Sequence, residues 1–445
     1  MFVDTQDDLI QYLDFTKDKM VHIIPLIESD KQHFIKNGVL AFYVLCNNKE
    51  FIFPYKHPES TYSDYTIQQI LDNSVCCMYH RSILDYMGID TTNILDLELV
   101  HYLNTGESLD LDDVETELFY SRLHPKYGKV NTLVSIANFV KYSRSILTQA
   151  NLTKAHGVQF YGDMMQLFRN NIEKNGLKVD RQLFTTMLGI PVNLVNDLVY
   201  TKYNFFTATG RPSNRFGGIN FAALPKQDET RKCFVSRFDE GKLVEIDFKA
   251  YHPHIIAYLC DYDFGNENVY EHLAKYYFDT TTPSKDEIAR AKEYTFNQIY
   301  GGINKKYLHI EFFAKTKAYT DLLWEQFKDK GCFVSGISGR TLLADYETST
   351  DTQLFNYYIQ MTETELNYLY LSRLLSDLDI SNAVPILYTY DAVVFDCKKE
   401  YIDKLIEKLF AATTEKFPIS VKIGDNYKEM TNYNYEATVA LHIHR

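Results

Sequence analysis

The chain has 445 residues, of which 45% are hydrophobic and 24% charged, and its formal net charge is −13. The length predicts two or three globular domains. No run of about 18 apolar residues occurs, which excludes an ordinary membrane span. The acidic start, MFVDTQDDLIQYLDF, has no basic-then-apolar leader, and the seven cysteines form no CxxC pair. We therefore expect no secretion signal, no zinc ribbon, and a reduced, cytoplasmic location.

The negative charge is unevenly distributed along the chain. Residues 106–117 hold six acids and no base, a pattern typical of a solvated loop or helix face. Residues 201–250 carry nine Lys and Arg against six Asp and Glu. Because phosphate contacts dominate nucleic-acid affinity, this second stretch is where a nucleic acid would be expected to bind.

The first part of the chain alternates strand-like and helix-like segments, which predicts an α/β unit between Val21 and about Leu103. The strands are VHIIPLI, VLAFYVLC and EFIFPY, and the helices are YTIQQILDN and LDLELVHYL. An amphipathic stretch, VNTLVSIANFVKYSRSIL, follows. From Gln159 a helix-period pattern then continues to the stop signal Asn175-Gly176.

The segment GKLVEIDFKAYHPHIIAYL (241–259) predicts a buried strand that presents Asp247 at its end, followed by a helix. An acid held at a strand end is a rigid metal ligand. The alternative is an Asp that caps the next helix.

The segment VPILYTYDAVVFDC (384–397) predicts a hairpin with Asp391 at its tip, where Asp is also a common turn residue. If Asp247 and Asp391 project from neighbouring strands, they can hold two Mg²⁺ about 3.5–4 Å apart. Such a pair would clamp the attacking and leaving oxygens of a phosphoryl displacement.

The segment SKDEIARAKEYTFNQIYGG (284–302) predicts a helix that ends at Gly301-Gly302. Lys292, Phe296 and Tyr300 recur every four residues and share one face. A cation and two aromatic rings in that order suit a triphosphate, a sugar and a base. The alternative is an amphipathic helix with two core aromatics and a solvated Lys.

The segment TATGRPSNRFGGINFAALPK (207–226) predicts a basic, glycine-rich loop around Thr209, Gly210 and Arg211. Such a loop can bind a nucleic-acid backbone, although an ordinary surface loop has the same composition.

Taken in order, these motifs resemble the palm and fingers of family A (DNA polymerase I-like) polymerases, over about Phe160 to Met430. The series is TATGRPS, RKCFV, VEIDFKAYHPHIIAYL, NVYEHLAKYYF, RAKEYTFNQIYGG, GISGR, FNYYIQMTETE, YTYDAVVFD and FPISVKIGDNYKEM. The resemblance implies an α+β right-hand polymerase fold. It implies an exonuclease-like domain at residues 1–150, palm and fingers at 151–445, and fingers at about 265–345.

The resemblance also implies a role for individual residues. Asp247 and Asp391 would bind the two Mg²⁺, for which Mn²⁺ can substitute, and Lys292 would contact the triphosphate. Phe296 would pack on the sugar and Tyr300 beside the templating base. The remaining members are Tyr270 and His252 in the nucleotide site, and Arg211, Asn356, Gln360 and Tyr390 at the primer–template minor groove.

Three positions depart from the family pattern. Ile288 stands where an Arg is usual, so that Arg290 or Lys285 would have to substitute. Ala392 replaces the carboxylate after the second catalytic Asp. His252 replaces the Glu that excludes ribonucleotides, and DFKAYHPHII also resembles the DFxSLYPSII motif of family B.

Residues 1–150 resemble the 3′–5′ exonuclease domain of this family, an RNase H-like α/β fold, through MYHRSILDYMGID and NILDLELVHYL. Most of the metal-binding acids are missing. The first strand reads Ile24-Pro25-Leu26-Ile27 where Asp-x-Glu is expected, His80 stands at the second acidic position, and Asp96 remains. We therefore expect no proofreading, unless Glu28 and Asp30 supply the missing acids.

The long helical thumb of the family has little room in this chain. It would lie between Asp180 and Thr209, which are 29 positions apart. Two thumb-length helices need more chain than this, because each residue advances a helix by only about 1.5 Å. The sequence therefore predicts a missing or vestigial thumb and weak processivity.

Three functions are compatible with these observations. The first is a template-dependent DNA polymerase of phage or mobile-element type that binds primer–template DNA and dNTPs, with a replication partner or self-association replacing the thumb. The second is an RNA-synthesising polymerase or primase of the same fold. The third is a catalytically inactive nucleic-acid-binding subunit, against which the joint presence of the catalytic residue types argues.

Overall fold

A computed structural model describes most of the chain and divides it into two compact units. Unit 1 comprises Met1–Gly176, Ile190–Phe206 and Asn214–Asn220, and unit 2 comprises Leu177–Gly189, Thr207–Ser213 and Phe221–Arg445. The described residues are 1–3, 5–27, 33, 35, 38–55, 67–71, 75–109, 122–124, 128–130, 136–188, 194–214, 220–221, 224–225, 228–344, 348–413 and 417–433. Glu28, Asp30 and most of the acidic segment 106–117 lie outside them. The division of the chain at residue 150 remains a prediction.

Unit 1 is built on a mixed five-stranded sheet in the order β3-β2-β1-β4-β5. Its strands are β1 (Met20–Ile27), β2 (Val39–Cys46), β3 (Lys49–Pro54), β4 (Val75–Met78) and β5 (Ile94–Asp96). Strands β1, β2 and β3 pair antiparallel, whereas β4 and β5 continue the sheet in parallel. The three strands predicted from the sequence are confirmed.

Apolar cores cover both faces of this sheet. Ile23 and Phe42 belong to one core, and Ile24 and Tyr43 belong to the other. Successive side chains of a strand point to opposite faces, so strands covered on both faces are apolar along almost their whole length. This explains why the sequences of β1 and β2 show no alternation of polar and apolar residues.

The other described elements of unit 1 up to Gly176 are helices and one short hairpin. They are α1 (Gln6–Thr16), α2 (Ile67–Leu71), α3 (Ser82–Tyr86), α4 (Leu97–Thr105), α5 (Ile136–Gln149) and α6 (Val158–Phe168), with a π-helical turn at Arg169–Glu173 and a hairpin of β6 (Arg122–His124) and β7 (Gly128–Val130). The last helical turn ends before Gly176, whose φ is +61°. The predicted stop at Asn175-Gly176 is therefore confirmed.

The chain passes between the two units in the stretch from residue 177 to residue 214. Its elements are β8 (Leu177–Lys178), α7 (Arg181–Leu188), β9 (Leu194–Val195), β10 (Leu198–Val199), β11 (Tyr203–Asn204) and β12 (Ser213–Asn214). Within the described part of this stretch, the one helix has eight residues.

Unit 2 is centred on an antiparallel five-stranded sheet in the order β16-β17-β13-β18-β19. The strands are β13 (Lys242–Phe248), β16 (Ala383–Thr389), β17 (Ala392–Cys397), β18 (Ile419–Gly424) and β19 (Met430–Asn432). Strand β13 lies in the middle, and Leu243, Val244 and Ile246 are buried in it. The predicted strand and hairpin are confirmed.

Helices account for most of the rest of unit 2. They are α8 (Tyr251–Leu259), α9 (Val269–Tyr277), α10 (Lys285–Gly301), α11 (Glu311–Lys330), α12 (Asp351–Ser376) and α13 (Ile402–Ala412), with a small hairpin of β14 (Cys332–Val334) and β15 (Thr341–Leu343) between α11 and α12. Helix α10 begins with a capping box between Ser284 and Glu287 and ends at Gly302, whose φ is +93°. Among the described helices, none combines the length and the apolar character that crossing a membrane requires.

Candidate active site

Strands β13 and β17 bring Asp247 and Asp391 together. Asp247 pairs in register with Ala392, the first residue of β17, and the Phe248 N–H donates to the Asp391 carbonyl over 3.1 Å. Asp391 lies in the two-residue turn between β16 and β17, where Tyr390 has a φ of +63°. Two aspartates that are 144 positions apart in the sequence thus lie next to each other, one at the end of β13 and one in the turn that leads into the adjacent strand β17.

The surroundings of Asp391 favour its protonated form. Loss of hydrating water raises the pKa of Asp391 to about 6, and the negative charges of Asp247 and Glu363 add to the shift. On the other side, Lys422 Nζ lies 2.5 Å from Glu245 Oε1 and 3.7 Å from Asp247 Oδ2. Because the two aspartates repel each other, a positive charge bound at this end of the sheet would be stabilised.

A cation–π contact places Arg211 against the turn that carries Asp391. The Arg211 guanidinium carbon lies 3.8 Å from the centre of the Tyr390 ring. The Asn367 amide donates to the Tyr390 carbonyl over 2.8 Å and to the Tyr388 hydroxyl over 2.9 Å. These two hydrogen bonds stabilise the turn. The predicted loop around Gly210, whose φ is +73°, is confirmed, and it delivers Arg211 to this position.

The Lys292, Phe296 and Tyr300 side chains form the stripe on α10 that the spacing predicted. The Phe296 and Tyr300 rings stack with centroids 5.6 Å apart and an angle of 8° between their planes. Tyr270 of α9 lies against the same stripe, with its ring 6.3 Å from Phe296 and 5.8 Å from Lys292 Nζ. Loss of water and the charge of Asp391 raise the pKa of Tyr270 to about 12, which links this stripe to the aspartates.

Arg290 does not join this stripe. Its guanidinium carbon lies 4.9 Å from the centre of the Phe278 ring, and it donates to the Tyr294 hydroxyl over 2.9 Å. Arg290 is two positions before Lys292, which puts it on another side of the helix.

Helix α12 presents a polar row toward the same region. Asn356 donates to the Tyr300 carbonyl over 3.3 Å, and the Thr209 hydroxyl lies 3.5 Å from Gln360 Oε1. The row continues with Glu363 and Asn367, at a spacing of four, three and four residues. This spacing keeps all four side chains on one face of the helix.

Glu363 is the residue that the sequence analysis missed. It is 1% exposed, and its carboxylate lies 3.0 Å from Arg211 Nε and 3.3 Å from His252 Nε2. The other ring nitrogen of His252, Nδ1, lies 2.5 Å from the Tyr300 hydroxyl. The polar row at 356, 360, 363 and 367, on one face of α12, is the signal that could have identified Glu363.

The donor set of this site suits a divalent cation bound between the protein and a substrate. Within the described parts of the chain, no three His, Cys, Asp or Glu side chains form a group that could enclose a metal by themselves. Two adjacent carboxylates with a raised pKa on one of them are the kind of site that Mg²⁺ shares with substrate phosphates and water.

No protein-family model matches the sequence, and no curated protein matches it. Among solved structures, the chain is similar to the POL domain of Pol1 from M. smegmatis, a structure in complex with DNA primer-template and dNTP. The TM-score is 0.72 and the sequence identity 13%, over 96% of this chain and 99% of that one. The likeness shows the fold: this α+β chain has the architecture of a DNA polymerase I-type polymerase domain.

Proposed function

We propose that this chain is a template-dependent DNA polymerase that adds dNTPs to a primer 3′ end by nucleotidyl transfer. The observation that carries the proposal is the position of Asp391, in the turn before β17, next to Asp247 at the end of the adjacent strand β13, in a chain whose fold is similar to that of a POL domain. The Lys292 stripe and the polar row of α12 surround this pair with groups that suit a nucleotide and a duplex.

In the reaction, the primer 3′-hydroxyl attacks the α-phosphorus of the dNTP, a P–O bond forms, and pyrophosphate leaves. Asp247 and Asp391 would hold two Mg²⁺, or Mn²⁺ as a substitute, and these ions would supply positive charge to offset the charge that develops on the phosphoryl oxygens. The mutual repulsion of the two carboxylates supports this assignment, because a bound cation relieves it.

The nucleotide would lie along the stripe of α10, within fingers that span about residues 265–345. Lys292 would contact the triphosphate as a point charge, Phe296 would pack on the sugar, and Tyr300 would lie beside the templating base. Tyr270 would close the side of this stripe, and His252 would approach the 2′ position of the sugar.

The primer–template duplex would contact the loop of Arg211 and the exposed end of the α12 row. Arg211, Asn356, Gln360 and Tyr390 would face the minor groove, where hydrogen-bond acceptors occur at every base pair. Such contacts test base-pair shape without reading sequence, as a template-dependent enzyme requires.

Unit 1 would be a degenerate exonuclease-type platform without proofreading. Its mixed sheet with two parallel crossovers supports this interpretation, and Asp96 is held by buried arginines. The short α7 between Asp180 and Thr209 supports a reduced thumb. A chain of this type would belong to a phage or mobile element and would release DNA readily unless a partner or a second copy held it.

Primer extension tests the proposal and separates it from the alternatives. Purified protein would be incubated with a labelled primer–template and dNTPs or rNTPs, with Mg²⁺, with Mn²⁺ and with chelator. We expect metal-dependent extension with dNTPs. Extension with rNTPs alone would support an RNA-synthesising enzyme, and duplex binding without extension would support an inactive binding subunit.

A single-binding-event experiment tests the reduced thumb. Protein bound to primer–template is started with dNTPs together with excess heparin, which captures every molecule that dissociates. We expect additions of only a few nucleotides, because fewer phosphate contacts hold the duplex. Products many tens of nucleotides long from the isolated chain would contradict the reduced thumb without affecting the catalytic assignment.

A further inference from the structure

The buried carboxylate of Glu363 joins three elements of unit 2. It extends from α12 to within 3.3 Å of His252 Nε2 on α8, and His252 Nδ1 lies 2.5 Å from the Tyr300 hydroxyl on α10. Glu363 and His252 are 1% and 8% exposed, whereas Tyr300 is 39% exposed. The line of contacts therefore begins inside the protein and ends at the surface of the proposed nucleotide site.

The chemistry of these groups gives the line a direction. An ionised carboxylate accepts hydrogen bonds but donates none, so the Nε2 that faces Glu363 is the nitrogen expected to carry the proton. In a neutral imidazole the other nitrogen, Nδ1, is then an acceptor, and the Tyr300 hydroxyl donates to it. Loss of water and the charge of Glu363 raise the pKa of Tyr300, so the phenol keeps the proton that it donates.

Arg211 keeps Glu363 ionised inside the protein. Its Nε and Nη2 lie 3.0 Å and 3.2 Å from the two oxygens of the carboxylate. Burial alone would raise the pKa of Glu363, but His252 and Arg211 outweigh it and the pKa is lowered. A fixed negative charge therefore faces the imidazole.

We propose that Glu363 is a positioning residue that sets the ring orientation and tautomer of His252, and through them the discrimination between dNTPs and rNTPs. The inference rests on the proposed function, in which His252 faces the sugar. With Nδ1 hydrogen-bonded to Tyr300 and Nε2 drawn toward the charge of Glu363 3.3 Å away, His252 offers no ring nitrogen to a 2′-hydroxyl. The ring then rejects a ribonucleotide by its bulk and leaves the extra hydroxyl without a partner.

Glu363→Gln removes the charge while keeping the shape of the side chain. The neutral amide no longer draws the protonated nitrogen toward it, so either tautomer can form and the ring can turn toward a ribose hydroxyl. We expect the ratio of kcat/KM for dNTPs to that for rNTPs to fall about tenfold, mainly through a lower KM for rNTPs. His252→Gly, which removes the ring, gives the largest fall that the gate can show.

Glu365→Gln is the matched control. Glu365 is a second buried glutamate of α12, two positions further on, and it accepts hydrogen bonds from Ser335 and from Ser338, the latter over 2.6 Å. The same substitution there leaves His252 untouched, so the ratio should stay within about twofold of wild type. If Glu363→Gln does not fold, Glu363→Asp keeps the charge but withdraws it from Nε2, and the same fall is expected.

The His252 tautomer can be measured without any polymerase activity. Long-range ¹H–¹⁵N correlation spectra of the free protein should show the Nε2–H form of His252 in the wild type and in Glu365→Gln, and the Nδ1–H form or a mixture in Glu363→Gln. If the wild type adds no nucleotides, the proposed function fails while these spectra still decide whether Glu363 positions His252. An unchanged tautomer, or an unchanged dNTP/rNTP ratio in a folded and active Glu363→Gln variant, would overturn the inference.

Discussion

Carboxylates have opposite neighbours in the two units. In unit 1, Asp85 and Asp96 are 2% and 1% exposed, and Arg169 lies 3.1 Å from Asp85 and 3.5 Å from Asp96. Arg81 lies 3.8 Å from Asp96, whose other oxygen accepts from the Leu99 N–H over 3.2 Å. The protein's own cations and donors thus lie against these acids, while burial still raises the pKa of Asp96.

In unit 2, the acids at the end of the sheet face each other instead. Burial and the charge of Asp247 raise the pKa of Asp391, and Lys422 Nζ lies closer to Glu245 than to Asp247. A buried acid with fixed partners stabilises a fold only while each partner is present. Two adjacent acids in an accessible turn instead lower the stability of the fold and are able to bind a ligand. The acids of unit 1 therefore suit a structural role, and the acids at the sheet end of unit 2 suit a chemical one.

The largest effect on nucleotide addition is expected from removing the acids of unit 2. Asp247→Asn and Asp391→Asn should each lower nucleotide addition by about 10³-fold or more, because several kcal/mol of charge stabilisation in the transition state depend on the bound cations. Single-turnover primer extension measures this loss, and duplex binding by fluorescence anisotropy should change little.

Asp85→Asn in unit 1 is the control for that experiment. It removes a buried carboxylate of the same type, so any loss that came only from an altered fold would appear there too. A nucleotide-addition rate in Asp391→Asn within a few-fold of wild type would show that the paired acids of unit 2 are not the catalytic ones.

The second prediction concerns the stability of unit 1. Arg169→Met should lower the free energy of unfolding by about 3–5 kcal/mol, because it leaves Asp85 and Asp96 buried without their main cation. Chemical denaturation followed by circular dichroism measures the change. Arg144→Met removes the exposed partner of Glu50 and should leave the unfolding midpoint almost unchanged. Equal shifts in the two variants would mean that the buried network is not what stabilises unit 1.

The local elements of this comparison could be predicted from the sequence, because short-range patterns determine them. The two apolar runs on either side of Tyr390-Asp391 predicted the hairpin, and Gly301-Gly302 predicted the end of α10. Each motif predicted its own strand, but the local patterns did not determine that these strands pair, and the pairing of β13 with β17 is what brings Asp247 next to Asp391.

The groups that balance the charges could not be predicted in the same way. Glu363 lies 152 positions from Arg211 and 111 from His252, so nothing near TETE in the sequence shows that its carboxylate is buried between them. Arg169 is likewise 73 positions from Asp96. Such roles arise only when separate elements pack, although the polar row of α12 was visible as a helical spacing.

The third prediction is a small effect of pH on the stability of the metal-free protein. The pKa of Asp391 is raised to about 6 in the folded chain, against about 3.9 for an unfolded Asp. Between these values the folded state binds more protons than the unfolded state, so the metal-free protein should lose stability as pH rises from about 4 to about 6. The carboxyl is partly hydrated, so we expect a loss of about 1 kcal/mol or less. Denaturation in chelator across this window should show a flatter profile for Asp391→Asn, and saturating Mg²⁺ should remove the difference above pH 6. Identical profiles for the two proteins would mean that burial and Asp247 do not raise the pKa of Asp391 in the folded chain.

The last prediction is that Asp96 takes no part in metal-dependent shortening of a primer. A carboxylate ligates a metal through oxygens that are free to turn toward it. Asp96 is 1% exposed, with Arg81 and Arg169 at one oxygen and the Leu99 N–H at the other. Moving Asp96 toward a metal would leave Arg81 buried without its carboxylate and Arg169 with Asp85 alone. Binding of a cation with few other acids to hold it would not offset this cost. A primer with a 3′ mismatch should therefore not be shortened in Mg²⁺ or Mn²⁺, and Asp96→Asn should give the same primer lengths as wild type. Shortening that disappears in Asp96→Asn would show that the acids of unit 1 also serve chemistry, with Glu28 and Asp30 the first residues to substitute next.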